Sequence, residues 1–258
     1  MKKVLRILLM IPILYLIIIP VYFARTSYSR TCSGIEITLT DTSEYHFVTK
    51  KEILNLIYRN NGRIVGMPVK DIQVSKIERG IDVLRELKIA EVYMSINGTL
   101  HVYAVQRVPL IRVIADDGGD YFMDKEGVVV RRRHLYTPRL HIVGGNVTVT
   151  SEMIKGVSVL DTSIKNSILK DIYYLVDYIK GNSFWSAQID QIYVDRNSEI
   201  DLVPRIGNHI VHLGTADDFA LKLTNLEVFY KKVLPEVGWN KYSVINLEYK
   251  DQIVCQRR

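Results

Sequence analysis

The hydrophobic pattern changes period several times along the chain. From Ile7 to Ala24 no residue is charged. As a helix rising 1.5 Å per residue, such a run reaches roughly 27 Å, close to the hydrocarbon thickness of a bilayer. Residues 26–33, TSYSRTCS, then read as a polar linker, and Ile35 to Leu39 alternates with the period of two of a half-buried strand. Ile53, Leu56 and Ile57 recur at helical spacing, and so do Ile77, Ile81 and Leu84. Each set follows a capping-box sequence, Thr49–Glu52 and Ser75–Glu78, whose hydroxyl and carboxylate can satisfy free N–H groups of a first turn. Alternation returns in EVYMSINGTLHVYAV, where Asn97-Gly98 predicts a hairpin closed by a type I′ turn. Gly34 to Val105 therefore predicts strand, helix, helix, strand, strand: a small α+β unit with a three-stranded sheet.

Gln106-Arg107-Val108-Pro109 follows without a loop-rich linker, and Pro109, which cannot donate to a ladder, marks a break or an edge. Beyond it IRVIA, DYFMD, GVVVR and Leu140 to Val143 read as short strands around glycine turns. A helix is expected over 161–180, with Ile164, Ile168, Leu175 and Ile179 on one side. Gln188 to Asp195, Glu199 to Val203 and His209 to Leu213 read as strands. Thr215-Ala216-Asp217-Asp218 then caps a helix carrying Phe219, Leu223, Leu226, Tyr230 and Val233, ended by Pro235 and Gly238. This predicts a second α+β unit, a mostly antiparallel sheet with helices on one face.

Ile245 to Arg258, INLEYKDQIVCQRR, alternates throughout. Ile245, Leu247, Tyr249, Ile253 and Cys255 share one face with Asp251, while Asn246, Glu248, Lys250, Gln252 and Gln256 share the other with Val254. The expectation is one long strand. At about 3.3 Å per residue it would span about 46 Å, beyond the usual length, so a bend is expected near Asp251.

Composition narrows the function classes. The chain has 258 residues, 48% apolar and 24% charged, with a net charge of +6. The basic residues are spread out, Arg131-Arg132-Arg133 being the tight internal cluster, so no nucleic-acid stripe is present. Cys32 and Cys255 form no C-x-x-C motif and read as two free or buried thiols, with a single bridge between them as the alternative. His209-x-x-His212 lies in a predicted strand, where a spacing of three sends the rings to opposite faces, so no metal is expected. Asp116 to Asp120 lacks the distal Glu of a calcium loop and reads as a hairpin turn. There is no G-x-S-x-G, P-loop or G-x-G-x-x-G. No catalytic residue, cofactor or small-molecule substrate is assigned, and a binding module is the expectation.

Lys2, Lys3 and Arg6 precede the apolar run and favour a cytoplasmic N-terminus. Tyr22 and Phe23, before Ala24, do not suit a signal-peptidase cut, which favours an uncleaved anchor. The expected organisation is a cytoplasmic tail (1–6), a transmembrane helix (7–24), a linker (25–33), the small unit (34–107) and the β unit (108–258), with the bulk outside the cytoplasm.

This ordered set resembles the FtsQ/DivIB family of bacterial cell-division proteins, in its Bacteroidetes-type version. Ile35 to Val105 is similar to the family's POTRA domain (βααββ), Gln106 to Val113 to its junction, Tyr121 to Gly127 to its strand–Asp–Gly hairpin and Tyr242 to Cys255 to its closing strand. The resemblance implies no catalysis. It implies a bitopic inner-membrane scaffold at the division septum that holds FtsB-like and FtsL-like partners and regulates septal peptidoglycan synthesis. The family's last strand receives a strand of FtsB, which places the expected partner site on Asn246, Leu247, Glu248, Tyr249, Lys250, Gln252 and Ile253. Tyr249 would be the aromatic anchor, and Glu248 and Lys250 would supply register charges. The short tail and the basic 131–133 run depart from many relatives. A POTRA-bearing periplasmic assembly or secretion factor is the alternative, although such proteins usually carry several POTRA units or a barrel.

Overall fold

The structure is a computed structural model that describes residues 14–20, 30–40, 46–133, 138–250 and 252–258. Residues 14–20 are helical, with Leu14 to Ile18 exposed. No helix among the described residues is long and apolar enough to cross a membrane. The remainder of the expected 7–24 span lies outside the described residues, as do the cytoplasmic tail and most of the linker. The chain divides into two compact units, 1–107 and 108–258.

The first unit carries β1 (Gly34–Thr40), α1 (Lys50–Asn61), a 3-10 turn (Val69–Asp71), α2 (Val74–Ile81), β2 (Leu87–Met94) and β3 (Thr99–Gln106). Its sheet order is β1-β3-β2, with β1 parallel and β2 antiparallel to β3. Thr49 and Glu52 form the expected capping box, and α1 buries Ile53 and Ile57, one turn apart. The second expected box does not form. The first turn of α2 winds from Gln73, whose carbonyl accepts from Lys76 and Ile77, so Ser75 already lies inside the helix. Glu78 turns instead to β2, where its carboxylate accepts from the Val92 N–H at 3.1 Å.

The Asn97-Gly98 hairpin exists, but its turn differs from the expected type I′. Ser95 and Thr99 close a three-residue loop, and Gly98 carries positive φ while Asn97 does not. A side chain at Gly98 would also meet the Thr31 carbonyl at 2.8 Å. The same loop recurs at 115–119, 124–128 and 195–199, with Gly118, Gly127 and Ser198 in the positive-φ position. In two of them an Asp carboxylate replaces lost ladder bonds. Asp124 Oδ1 accepts from Glu126 and Val128, and Asp195 Oδ1 from Asn197 and Glu199, all at 2.8 Å.

The second unit is a nine-stranded sheet. Its strands are β4 (Pro109–Ile114), β5 (Asp120–Asp124), β6 (Val129–Arg131), β7 (His141–Gly145), β8 (Ile189–Val194), β9 (Ile200–Pro204), β10 (Ile210–Gly214), β11 (Tyr242–Asn246) and β12 (Val254–Arg257). The spatial order is β12-β11-β10-β9-β8-β7-β4-β5-β6. The sheet is mixed, with β4–β7, β7–β8 and β10–β11 parallel and the other neighbours antiparallel. One core joins it to α4 (Ile168–Gly181), α5 (Ser183–Gln188) and α6 (Phe219–Lys232). Two short helices, α3 (Ser151–Ile154) and α7 (Leu234–Val237), add Met153 and Leu234 to that core.

The helix expected from 161 begins later. Asp161 accepts from the Ser163 N–H and hydroxyl in a turn, Asn166 takes φ of 53°, and Ser167 caps α4. Ile164 belongs to that turn. Neither α5 nor α3 was expected, because six and four residues are too short to show helical period.

Candidate functional site

The expected long strand is instead a hairpin. β11 ends at Asn246 and β12 runs back along it from Val254, with Ile245 opposite Cys255 and Asn246 opposite Val254. The reversal is built locally. Asn246 Oδ1 accepts from the Glu248 N–H at 2.8 Å, the Leu247 N–H donates to the His212 carbonyl at 2.8 Å, and Gln252 donates back to Tyr249. Fourteen residues exceed what the neighbouring strand β10 can pair, and the reversal falls among Tyr249, Lys250 and Gln252. The expected bend at Asp251 falls on a residue outside the described set.

The expected partner residues are therefore redistributed. Asn246 closes β11, and Leu247, Glu248, Tyr249, Lys250, Gln252 and Ile253 lie in the connection between β11 and β12 rather than on an edge strand. Leu247 is 4% exposed and belongs to the core, and Ile253 packs against that core half-buried. Tyr249 is 54% exposed. Glu248, Tyr249, Lys250 and Gln252 line one wall of a groove of about 220 Å³, with Leu221, Lys222 and Asn225 of α6 on the other. Lys222 Nζ donates to the Leu213 and Thr215 carbonyls at 2.9 Å, tying α6 to the end of β10. Burial lowers the pKa of that amine, against the raising effect of Asp217, Asp218 and Glu248.

The outermost strand on this side is β12, a residue set that the alternation pattern did not single out as the edge. The Arg258 N–H donates inward to the Lys241 carbonyl at 3.2 Å. By alternation Gln256 and Val254 also bond toward β11, and the N–H and C=O groups of Cys255 and the N–H of Arg257 face outward, while the Arg257 carbonyl accepts from the Ser243 hydroxyl of β11 at 3.5 Å. The Cys255 side chain packs on the core beside Ile245, while Val254, Gln256 and Arg257 are exposed. Burial raises the Cys255 thiol's pKa, and both cysteines are free. The signal for this strand lay in its pairing with Tyr242 to Asn246, which no local pattern encodes.

The two histidines separate. His209 is 2% exposed, and its Nε2 lies 2.6 Å from the Tyr230 hydroxyl of α6. His212 Nδ1 pairs with Asp201 of β9 at 2.7 Å on the open face of the sheet, with Glu199 and Glu248 at 3.8 and 4.0 Å from Nε2. Among the described residues no group of three His, Cys, Asp or Glu side chains could hold a metal ion. What the arrangement offers is main-chain hydrogen bonding along β12, beside an apolar-floored groove.

Residues 108–256 match the family described as FtsQ/DivIB, C-terminal related, over more than half of the chain. The chain belongs to the FtsQ/DivIB family. Residues 30–104 match the POTRA-like domain, which agrees with the βααββ order of the first unit. No curated protein matches the chain. FtsQ/DivIB membership assigns a cell-division role, and the family is generally non-catalytic.

Proposed function

We propose that this FtsQ/DivIB protein is a non-catalytic, single-pass scaffold of the bacterial division machinery. It sits in the inner membrane at the septum with its N-terminus in the cytoplasm and both folded units in the periplasm. It captures an FtsB-like partner, together with an FtsL-like one, and so links early and late division proteins and regulates septal peptidoglycan synthesis. The observation that carries this reading is the free edge of β12 at one end of the nine-stranded sheet. An incoming strand would pair with the outward N–H and C=O of Cys255 and the outward N–H of Arg257, since main-chain bonds give such additions their affinity. The groove beside Tyr249 would take side chains flanking that strand. The uncharged run from Ile7 to Ala24 supports the anchor.

Proline substitution at two neighbouring positions tests the edge. Arg257→Pro removes an outward N–H and leaves the β11 ladder intact, whereas Gln256→Pro removes an inward one. Binding of the full-length protein to the FtsB-like protein of the same genome, measured by titration calorimetry, should fall at least tenfold in Arg257→Pro with the circular dichroism unchanged. Gln256→Pro should disturb the fold itself. Full affinity in Arg257→Pro would refute strand addition at β12.

A further inference from the structure

Three segments meet at one polar junction at the Arg257 end of β12, buried at His209 and Tyr230 and exposed at Asn208 and Arg258. His209, just before β10, reaches Tyr230 of α6 through Nε2 at 2.6 Å. The backbone of Trp239, just before β11, packs on the same imidazole, and the Tyr230 and Trp239 rings lie 5.4 Å apart edge to face. Asn208, next to His209, accepts through its carbonyl from Arg258 Nη2 at 2.8 Å, and the Arg258 N–H bonds Lys241. The Arg258 side of the edge hairpin is therefore moored to the residue beside a buried histidine.

We propose that His209 is a positioning residue for the edge strand: its neutral ring holds the junction to which β12 is tied, and its protonation loosens β12. The consequence for partner capture rests on the edge-strand reading. The loosening itself is a property of the free protein.

The chemistry follows from the hydrogen bond. Burial holds the Tyr230 phenol protonated well above its ordinary range, so its O–H can donate to an Nε2 that carries a lone pair, or its oxygen can accept from an Nε2–H, the tautomer setting the direction. A proton on Nε2 turns that bond round, so that the phenol oxygen accepts, and leaves a charged ring 2% exposed beside the like charge of Arg258. Burial pushes the His209 pKa down from 6.5, the Trp239 backbone pushes it up and the Arg258 charge pushes it down, with a net lowering. The groups facing His209 are Tyr230 from α6 and Arg258 beyond β12. Arg205, at the start of the same loop, is paired with Asp190 at 3.1 Å. The open junction takes up a proton near the ordinary histidine value and the closed one only at lower pH. The closed junction is therefore fully favoured above 6.5 and loses ground as pH falls below it.

Amide hydrogen exchange of the full-length protein reads this without any partner. Protection factors of Gln256 and Arg258, corrected for intrinsic exchange, should fall about tenfold per pH unit below the ordinary histidine value. His209→Gln, which cannot titrate, should show no such fall, and His141→Gln, at the other histidine whose pKa burial lowers, should keep the wild-type response. A flat wild-type profile, or an equal fall in His209→Gln, overturns the proposal. Arg258→Ala keeps it falsifiable should His209→Gln misfold: this surface change should expose the Gln256 amide at pH 7.5 as acid does in the wild type, and unchanged protection refutes the mooring. Loss of the latch with intact partner binding at pH 7.5 would count against the latch alone. An intact latch without partner binding would count against the scaffold reading alone.

Discussion

Strands β6 and β12 are the two outermost strands of the same sheet, and the chain treats them differently. β6 is three residues long, with Val129 and Val130 buried and α3 packed against it. The segment leading out of α3 clasps the adjoining turn, where the Ser158 hydroxyl donates to the Glu126 carbonyl at 2.6 Å and the Val159 N–H to Gly127 at 2.9 Å. Arg132 folds back onto Asp120 through both its N–H and its guanidinium. Short length, cover and charge are the usual devices that stop an edge from pairing with another chain. β12 has none of this cover, and three of its four side chains are exposed. Of the two edges of this sheet, one is blunted and the other is left open, which is what the proposed strand addition at β12 needs.

The largest effect should come from uncovering the blunted edge. Gly127 has φ of 73°, and a Cβ there would lie 2.7 Å from Ser158 Oγ and 3.1 Å from Val159 and Leu160. Gly127→Ala should cost about 3 kcal/mol, the sum of left-handed strain and displaced packing. Urea denaturation measures the loss. Limited proteolysis should then cut near β6 and 156–160 before any other site, and a variant as stable as wild type would show that the cover is incidental.

Next in size is the ion cluster beside that edge. Asp120 meets Arg112 through a two-pronged contact at 2.9 and 2.8 Å and Arg132 at 2.7 Å. Burial alone would raise its carboxyl, but the hydrogen bonds and charges of the two guanidiniums outweigh burial and hold it below 3.8. Asp120→Ala should cost about 2 kcal/mol at pH 7, below the figure for a fully buried pair because the cluster is partly wet. The folded pKa is the lower one, so Asp120's contribution is complete above 3.8 and disappears as pH falls through the folded value. Wild type and Asp120→Ala should converge in stability in that acid window, and a gap that persists there would mean that lost packing, not charge, carries the effect.

What the sequence revealed, and what it hid, divides along the range of the interactions involved. The βααββ order, the Thr49–Glu52 box and the hairpins were legible because each rests on contacts within a few residues. Ser75–Glu78 misled because the same residue types serve a cap or a helix-to-strand hydrogen bond, and only the position of β2 decides between them. The end of the chain misled for a related reason. A period of two is the same for one long strand and for two short antiparallel strands, since reversing direction keeps the alternation. Only the length of the β10–β11 pairing says where the ladder must stop. Leu247 and Tyr249 share one face of the alternation, yet Leu247 is 4% exposed and Tyr249 54%, and neither that division nor the edge itself could be found without the partner strand.

The smallest expected change bears most directly on how the open edge is read. Val254 is 46% exposed, with its backbone turned toward β11 and its side chain on the open face of the sheet. Val254→Lys adds a charge of the kind that natural edges use, and as a surface substitution it should alter stability by no more than about 0.5 kcal/mol. If the partner is held by main-chain bonds at Cys255 and Arg257, this variant should lose only about threefold in affinity, equivalent to about 0.7 kcal/mol. Arg257→Pro should lose far more. Equal losses in the two variants would place the binding energy in side-chain packing on the open face and would turn the bare edge into a bystander. The ratio of the two affinities, measured side by side at one salt concentration, thus decides whether β12 is recognised as a strand or as a surface.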